Sequence, residues 1–277
     1  STVFASTPKK ILYFERSTSY VHPPTVVEAD GLSIAGKVLK KLCAPLGYEV
    51  VCTQDGTLFD DVDPYSGFIF YTCGELDKPG GKKNTPPMSA KGVKNFYEAI
   101  RAGKGLLGIH SATDTWKTPG EKWENQPVAD RNEYTKVIGA QFVSHGSQQE
   151  TTMRVVDSSL PWIGKQGKSF QFFEEWYAMK NFNPDMHVIL AQETEGMKKK
   201  GNDVCYDRPA FPSTWARMEG KGRVAYTALG HNNKSWTEEV VPGVVFDLIQ
   251  FILGLVDMDL TPNINKVCPG AYTVKNQ

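Results

Sequence analysis

Four of the five histidines fall where apolar, β-prone runs give way to loop formers. His110 closes "GLLGIH", His231 follows "VAYTALG", His22 sits in "FERSTSYVHPP" and His145 in "GAQFVSHGS". The fifth, His187, lies inside the run "DMHVIL". Imidazole at a strand end can ligate a metal, carry protons near neutral pH, or hydrogen-bond a hydroxyl. Two carboxylates adjoin in "FQFFEEWYAM", Glu174 and Glu175. Strand alternation sends one inward and the other outward. A carboxylate among aromatic neighbours has its charged form disfavoured and can serve proton transfer. That role falls to Glu175, and a surface ion pair to Glu174. Asp114, four residues past His110, can turn back over the same site or cap a turn. The expectation is one pocket shared by His22, His110, His145 and His231, with Glu175 in or beside it and His187 elsewhere. Several imidazoles and a carboxylate form a ligand set for zinc or another borderline divalent ion, although the spacing matches no local metal motif.

Positioning those residues requires strands alternating with helices. Strands are predicted at 9–16, 48–54, 65–73 and 105–110, and later at 150–156, 186–194, 211–219 and 222–229. Helices are predicted within 25–47, within 89–105 (capped by Ser89 and ended by glycines), and at about 244–256. Near-continuous apolar strands in such alternation imply a doubly wound, mainly parallel α/β sheet. Ligands then bind beyond the carboxyl ends of the strands, where four of the histidines fall. Residues 74–90 and 113–134 read as long loops, and 74–90 is either a lid or a surface insertion. No repeat or linker is visible, so a single domain over 1–277 is expected.

Composition removes several classes. Lys+Arg and Asp+Glu each number 31, giving no net charge, which argues against nucleic-acid binding and polybasic membrane attachment. Residues 240–256 are apolar but interrupted by Pro242, Asp247 and Gln250, so a buried helix is expected there and no membrane span. The first residues show no basic start followed by an apolar run. A cytoplasmic protein, or one exported after signal removal, is expected. Cys43, Cys52, Cys73, Cys205 and Cys268 lack CxxC spacing and read mostly as free core thiols, with one or two bridges as the alternative for an exported protein. None lies at a strand-end elbow, which argues against acyl transfer through a thiolate.

The stretches "ILYFERSTSYVH", "GKGLLGIHSATDTW", "IGAQFVSH", "EEWY" and "GKGRVAYTALGHNNKSW" together resemble the ThuA-like family, named for a trehalose-utilisation protein. The resemblance covers nearly the whole chain. It implies a flavodoxin-like sheet related to class I glutamine amidotransferases, with histidine (here His110) where those enzymes carry cysteine. His22, His110, His145, Glu175, His231 and Asp114 fall on the family's recurring positions. Val21 stands where Arg is frequent, Glu174 where Asp is common, and loop 74–90 is longer than usual. The family implies carbohydrate metabolism: proton transfer on a glycoside or 3-keto sugar, of hydrolase, lyase or isomerase type, by His110, Glu175 and His231. A divalent metal such as zinc would be held by His22, His110, His145 and His231, and no nucleotide cofactor is expected. Asp114, Trp116, Trp176 and Tyr177 would bind the sugar, with Trp123 and Trp236 as further aromatic faces. A homo-oligomer is compatible with this reading. The alternative is a non-catalytic sugar-binding or sensing domain in an amidotransferase-like shell.

Overall fold

Runs such as "KKILYF" and "YSGFIF" supply β-branched and aromatic residues at consecutive positions, the pattern of strands covered on both faces. In the computed structural model they pair in parallel as the second and third strands of a nine-stranded sheet. The structure describes residues 9–201 and 203–273. The leader reading of residues 1–8, and the two ends of the 1–277 domain, lie outside them.

The first half of the chain contributes β1 (Lys9–Phe14), β2 (Tyr48–Thr53), β3 (Tyr65–Phe70) and β4 (Gly105–Ile109). Between them run α1 (Ile34–Cys43) and α2 (Ala90–Ala102), whose caps Ser33 and Ser89 accept from the backbone N–H groups of Gly36 and Gly92. The second half adds α3 (Glu133–Ile138), β5 (Gln141–His145), β6 (Gln149–Val155), β7 (Ser169–Glu174), β8 (Tyr177–Lys180), β9 (His187–Gln192), β10 (Phe211–Glu219) and β11 (Gly222–Thr227). Three helices follow: α4 (Asn233–Thr237), α5 (Val240–Ile252) and α6 (Ile264–Val267).

The sheet order is β2-β1-β3-β4-β11-β10-β9-β6-β7. The first five strands are parallel and follow the flavodoxin order. From β11 onward the pairing is antiparallel. Strands β5 and β8 form a separate two-stranded ladder. The eight predicted strands are all present, with ends shifted by up to three residues. Helix α5 begins four residues before its predicted start, with Pro242 in its first turn, where a missing N–H costs nothing. Strands β5, β7 and β8 are additional to the predicted ones.

Two glycines on β4 show how helices cover both faces. A Cβ on Gly105 would meet Ile252 of α5, and one on Gly108 would meet Ile138 of α3. Residues 105 and 108 point to opposite faces of a strand. The fold therefore leaves the carboxyl ends of β1, β4 and β11 open at one edge, which is where His22, His110 and His231 emerge. Among the described residues no helix is long and apolar enough to cross a membrane.

Candidate functional site

His110 occupies a sharp turn at the end of β4, with a left-handed backbone (φ 45°). A side chain larger than glycine rarely adopts this conformation, so surrounding contacts must hold it. At Gly108 a Cβ would come within 2.6 Å of Ile138 and 3.1 Å of Ala112. Gly-Ile-His-Ser-Ala thus has the small residues two positions before and after the apex that a strand-to-turn nucleophile elbow needs. The apex carries imidazole. The Tyr226 hydroxyl donates to the His110 carbonyl at 2.6 Å, and the ring Nδ1 donates to the Ala228 carbonyl at 2.6 Å. That bond fixes the neutral tautomer and leaves Nε2 as a lone-pair donor, 3.2 Å from His231 Nδ1. Tyr177 stacks on the ring with centroids 3.9 Å apart.

His231 is set by a loop fastened from several directions. Gly230 has φ 119°, which favours glycine. Its carbonyl accepts from the Tyr71 hydroxyl at 2.7 Å and Trp236 Nε1 at 2.9 Å. Glu174 accepts three backbone N–H groups, from Gly230 (2.8 Å), His231 (3.2 Å) and Glu175 (2.8 Å). The surface ion pair expected of Glu174 is therefore corrected. Its side chain is fully buried, and burial pushes its pKa up to about 8 against the pull of those donors. Glu174 is the clamp that holds the His231 loop to the end of β7.

Glu175 turns toward the histidines. Its Oε1 lies 3.2 Å from His231 Nδ1 and 3.7 Å from His110 Nε2, and its Oε2 lies 3.7 Å from His145 Nδ1. His22 joins from the loop after β1, its Nε2 3.2 Å from the Tyr177 hydroxyl and its ring edge-on to His110 and His231. One ligand atom from each of His22, His110, His231 and Glu175 lies within 4.8 Å of all the others, and all four residues are buried. Of the expected metal set, His22, His110 and His231 converge here; His145 stands at the rim of this group on partly exposed β5, its Nδ1 facing Glu175, whose carboxylate completes the cluster.

Burial holds His22, His110 and His231 below the usual imidazole pKa, neighbouring imidazoles push the same way, and at His231 the Glu175 carboxylate pulls part of the way back. Neutral imidazole is the metal-binding form. Tetrahedral zinc with Zn–N near 2.05 Å places its ligands about 3.3 Å apart. The 3.2 Å between His110 Nε2 and His231 Nδ1 matches that spacing, so the donor set fits a small divalent ion.

The remaining expected residues separate clearly. Tyr177 belongs to the site through His110 and His22. Asp114 is engaged by Lys117 at 2.8 Å and by the Cys73 thiol at 3.3 Å. Trp116 donates to Asp77 at 2.7 Å and packs on Tyr134. Trp176 is corrected from sugar platform to core, because it is fully buried and donates to the Gln149 carbonyl. Trp236 is buried as well. His187 lies elsewhere, as expected, between Asp157 and the Thr261 carbonyl. All five cysteines are free, and burial pushes the Cys43, Cys52, Cys73 and Cys205 thiols up to about 12, which disfavours thiolate chemistry.

Loop 74–90 is held down. The fully buried Arg16 guanidinium donates to the Leu76, Lys78 and Thr85 carbonyls and to the Thr85 hydroxyl. Tyr71 and Tyr226 were not expected in the site. Their signal is a phenol within, or one residue past, a strand that ends at the histidine edge.

A flavodoxin-like sheet with imidazole at the elbow, where no cysteine stands, defines the class of fold. Within that class the chain belongs to the ThuA family, whose model, described as trehalose utilisation, matches residues 10–252. Among solved structures it is similar to a ThuA-like protein from Bacteroides uniformis, at 19% identity, 91% of this chain, 94% of that chain and TM-score 0.60. A ThuA-like protein from Parabacteroides merdae is similar at 13% identity, with 91% and 92% covered and TM-score 0.60. A cytoplasmic protein from Salmonella typhimurium aligns at 12% identity, over 88% of this chain and 99% of that chain, with TM-score 0.52. At these identities the likeness shows the fold. No curated protein matches the sequence.

Proposed function

We propose that the protein is a carbohydrate-processing enzyme that moves a proton on a keto sugar or 3-keto glycoside at the His22–His110–His231–Glu175 cluster. One observation carries the reading: three imidazoles and a carboxylate, all buried, converge at the carboxyl edge of the sheet. The family's description, trehalose utilisation, supports a sugar as substrate. His22, His110 and His231 would hold a divalent metal, which when bound supplies Lewis-acid polarisation of a sugar carbonyl or hydroxyl.

The chain's own groups supply the rest. A keto group acidifies the adjacent C–H, and Glu175 is the base that takes this proton. His145, 3.7 Å from the second Glu175 oxygen and open to solvent, returns it to water or to the product. Glu174 and the Ala228 carbonyl keep His231 and His110 in register. Tyr177 closes the apolar side of the cluster and orients His22. Proton transfer of this kind allows isomerisation, or elimination of a glycosidic group followed by hydration.

The test is turnover of 3-keto trehalose, followed by loss of substrate and by solvent deuterium entering the carbon next to the carbonyl. The proposal expects both, and expects Glu175→Gln to remove both. A protein that binds the sugar but exchanges no deuterium is a sugar-binding domain instead.

A further inference from the structure

The loop that carries His22 also walls a separate cavity of about 220 Å³, to which no histidine contributes. It has room for about seven waters, hence for one small molecule. Part of its lining accepts hydrogen bonds. Glu15, one residue past β1, lines the cavity and is 2% exposed. Ser33 Oγ donates to its Oε2 at 2.6 Å, and the buried Tyr13 hydroxyl faces the same carboxyl from beyond hydrogen-bond distance. Burial pushes the Glu15 pKa up to about 7, and the pull of Lys83 is the weakest of the opposing influences. A carboxylate this buried calls for a cation beside it. Thr25 gives its hydroxyl proton to the His22 carbonyl at 2.8 Å, and Gln54 turns its Nε2 toward the Thr25 carbonyl at 3.5 Å. Each therefore keeps oxygen lone pairs free to accept.

The donors come from loop 74–90, as Lys82, Lys83 and Thr85. Thr85 Oγ1 accepts from Arg16 Nε at 3.1 Å, which leaves the hydroxyl proton to donate. The bonds from Arg16 to the Leu76, Lys78 and Thr85 carbonyls hold this part of the lining in place. Val21 and Val26 add aliphatic surface.

We infer that the cavity binds a small aliphatic amino acid, its ammonium against Glu15, Thr25 and Gln54 and its carboxylate against Lys82, Lys83 and Thr85. The site is independent of the chemistry proposed for the histidines. An anion would set its charge against Glu15, and a simple amine would set its charge against two lysines. A ligand carrying both charges complements both parts of the lining. Loop 74–90 is then one wall of a binding site and not a free insertion.

The test is calorimetry on the full chain with alanine, valine and 4-aminobutyrate, and with butylamine and butyrate, each of which carries only one of the two charges. At least one amino acid should bind about tenfold or more tighter than either single-charge control, the scale of one charge-assisted hydrogen bond. Glu15→Gln keeps the shape of the side chain, removes its charge, and should weaken that binding by about tenfold or more. The double variant Lys82→Ala, Lys83→Ala should weaken it by about fivefold, since exposed charges contribute less. Both lysines are exposed, so the double variant keeps its fold even if Glu15→Gln does not. His110→Ala should bind the same amino acid within about twofold of the full chain, as expected of separate sites. Butyrate or butylamine binding as tightly as the amino acids, binding by none of the three amino acids, or binding unchanged in the double lysine variant would each overturn the inference. Binding lost in His110→Ala would overturn it too, by placing the ligand at the histidines.

Discussion

The protein places the same side chain in two opposite settings. At His187 both ring nitrogens face acceptors, Asp157 Oδ2 at 2.6 Å and the Thr261 carbonyl at 2.8 Å. Satisfying both requires two N–H groups, so this ring is an imidazolium and its pKa is raised, chiefly by the bond to Asp157. Asp157 answers with a pKa drawn down to about 2. At His110 one nitrogen faces a carbonyl and the other faces a second imidazole at 3.2 Å, with the Glu175 carboxylate farther off at 3.7 Å, all of it buried. There desolvation and the neighbouring imidazoles outweigh that carboxylate and hold the pKa well below the usual value. One environment makes a structural cation and the other a Lewis base. The difference lies in what the second nitrogen meets.

The largest expected effect comes from taking away the Lewis base. His110→Ala should lower turnover of 3-keto trehalose by at least about a thousandfold, the scale of losing a group that acts within a unit. His187→Ala should leave turnover within about twofold. Equal losses in the two variants would erase the distinction between the settings.

Next is the base. Glu175→Gln should lower kcat by about 10²–10⁴, the usual contribution of general acid–base catalysis. Its melting temperature should change little compared with that of Glu174→Gln. The latter turns an acceptor of backbone N–H groups into a donor facing Gly230 or His231, and leaving such a group unpaired costs about 1–3 kcal/mol. If Glu175→Gln proves the less stable of the two and Glu174→Gln the less active, the assignment of clamp and base is reversed.

The two settings also give opposite signs of pH dependence. In metal-free protein the cluster histidines have folded pKa values below the ordinary value near 6.5. The unfolded chain therefore binds more protons as pH falls below about 6.5, and stability drops by about 1.4 kcal/mol per pH unit for each such proton. His187 has a raised folded pKa, so its contribution is complete below about 6.5 and is lost as pH rises through the folded value. His187→Ala should cost roughly 1–2 kcal/mol at pH 5.5, by loss of a charged hydrogen bond, and much less at pH 9. Denaturant midpoints across pH 5–9 for the full chain, His187→Ala and His110→Ala read both signs. A cost of His187→Ala that grew with pH would contradict the imidazolium assignment.

The sequence exposed the parallel half of the fold more fully than the antiparallel half, for physical reasons. Strands β1, β3 and β4 are covered on both faces and read as unbroken apolar runs. Strand β7, "SFQFFE", puts a phenylalanine on its exposed face as well as in the core, which destroys the alternation that marks a strand. Strand β8 is four residues long and buries a lysine. The histidine elbow was legible because small residues must flank such a turn. Glu174 was not, because two of the three backbone N–H groups that satisfy it belong to a loop more than fifty residues away, and these have no sequence signature. Trp176 was misjudged for a similar reason: its partner is the Gln149 carbonyl. Loop 74–90 looked free because the residue that fastens it, Arg16, lies sixty residues earlier and bonds mostly to carbonyls.

The most direct measurement is thermal unfolding of tag-free protein with added zinc, with chelator, and with neither, for the full chain, His110→Ala and His187→Ala. Binding to the folded state alone raises stability by about 2.7 kcal/mol at a hundredfold excess over Kd. The account predicts a rise in melting temperature with zinc and a fall with chelator in the full chain and in His187→Ala, and neither change in His110→Ala. A full chain whose melting temperature ignores both zinc and chelator would contradict it.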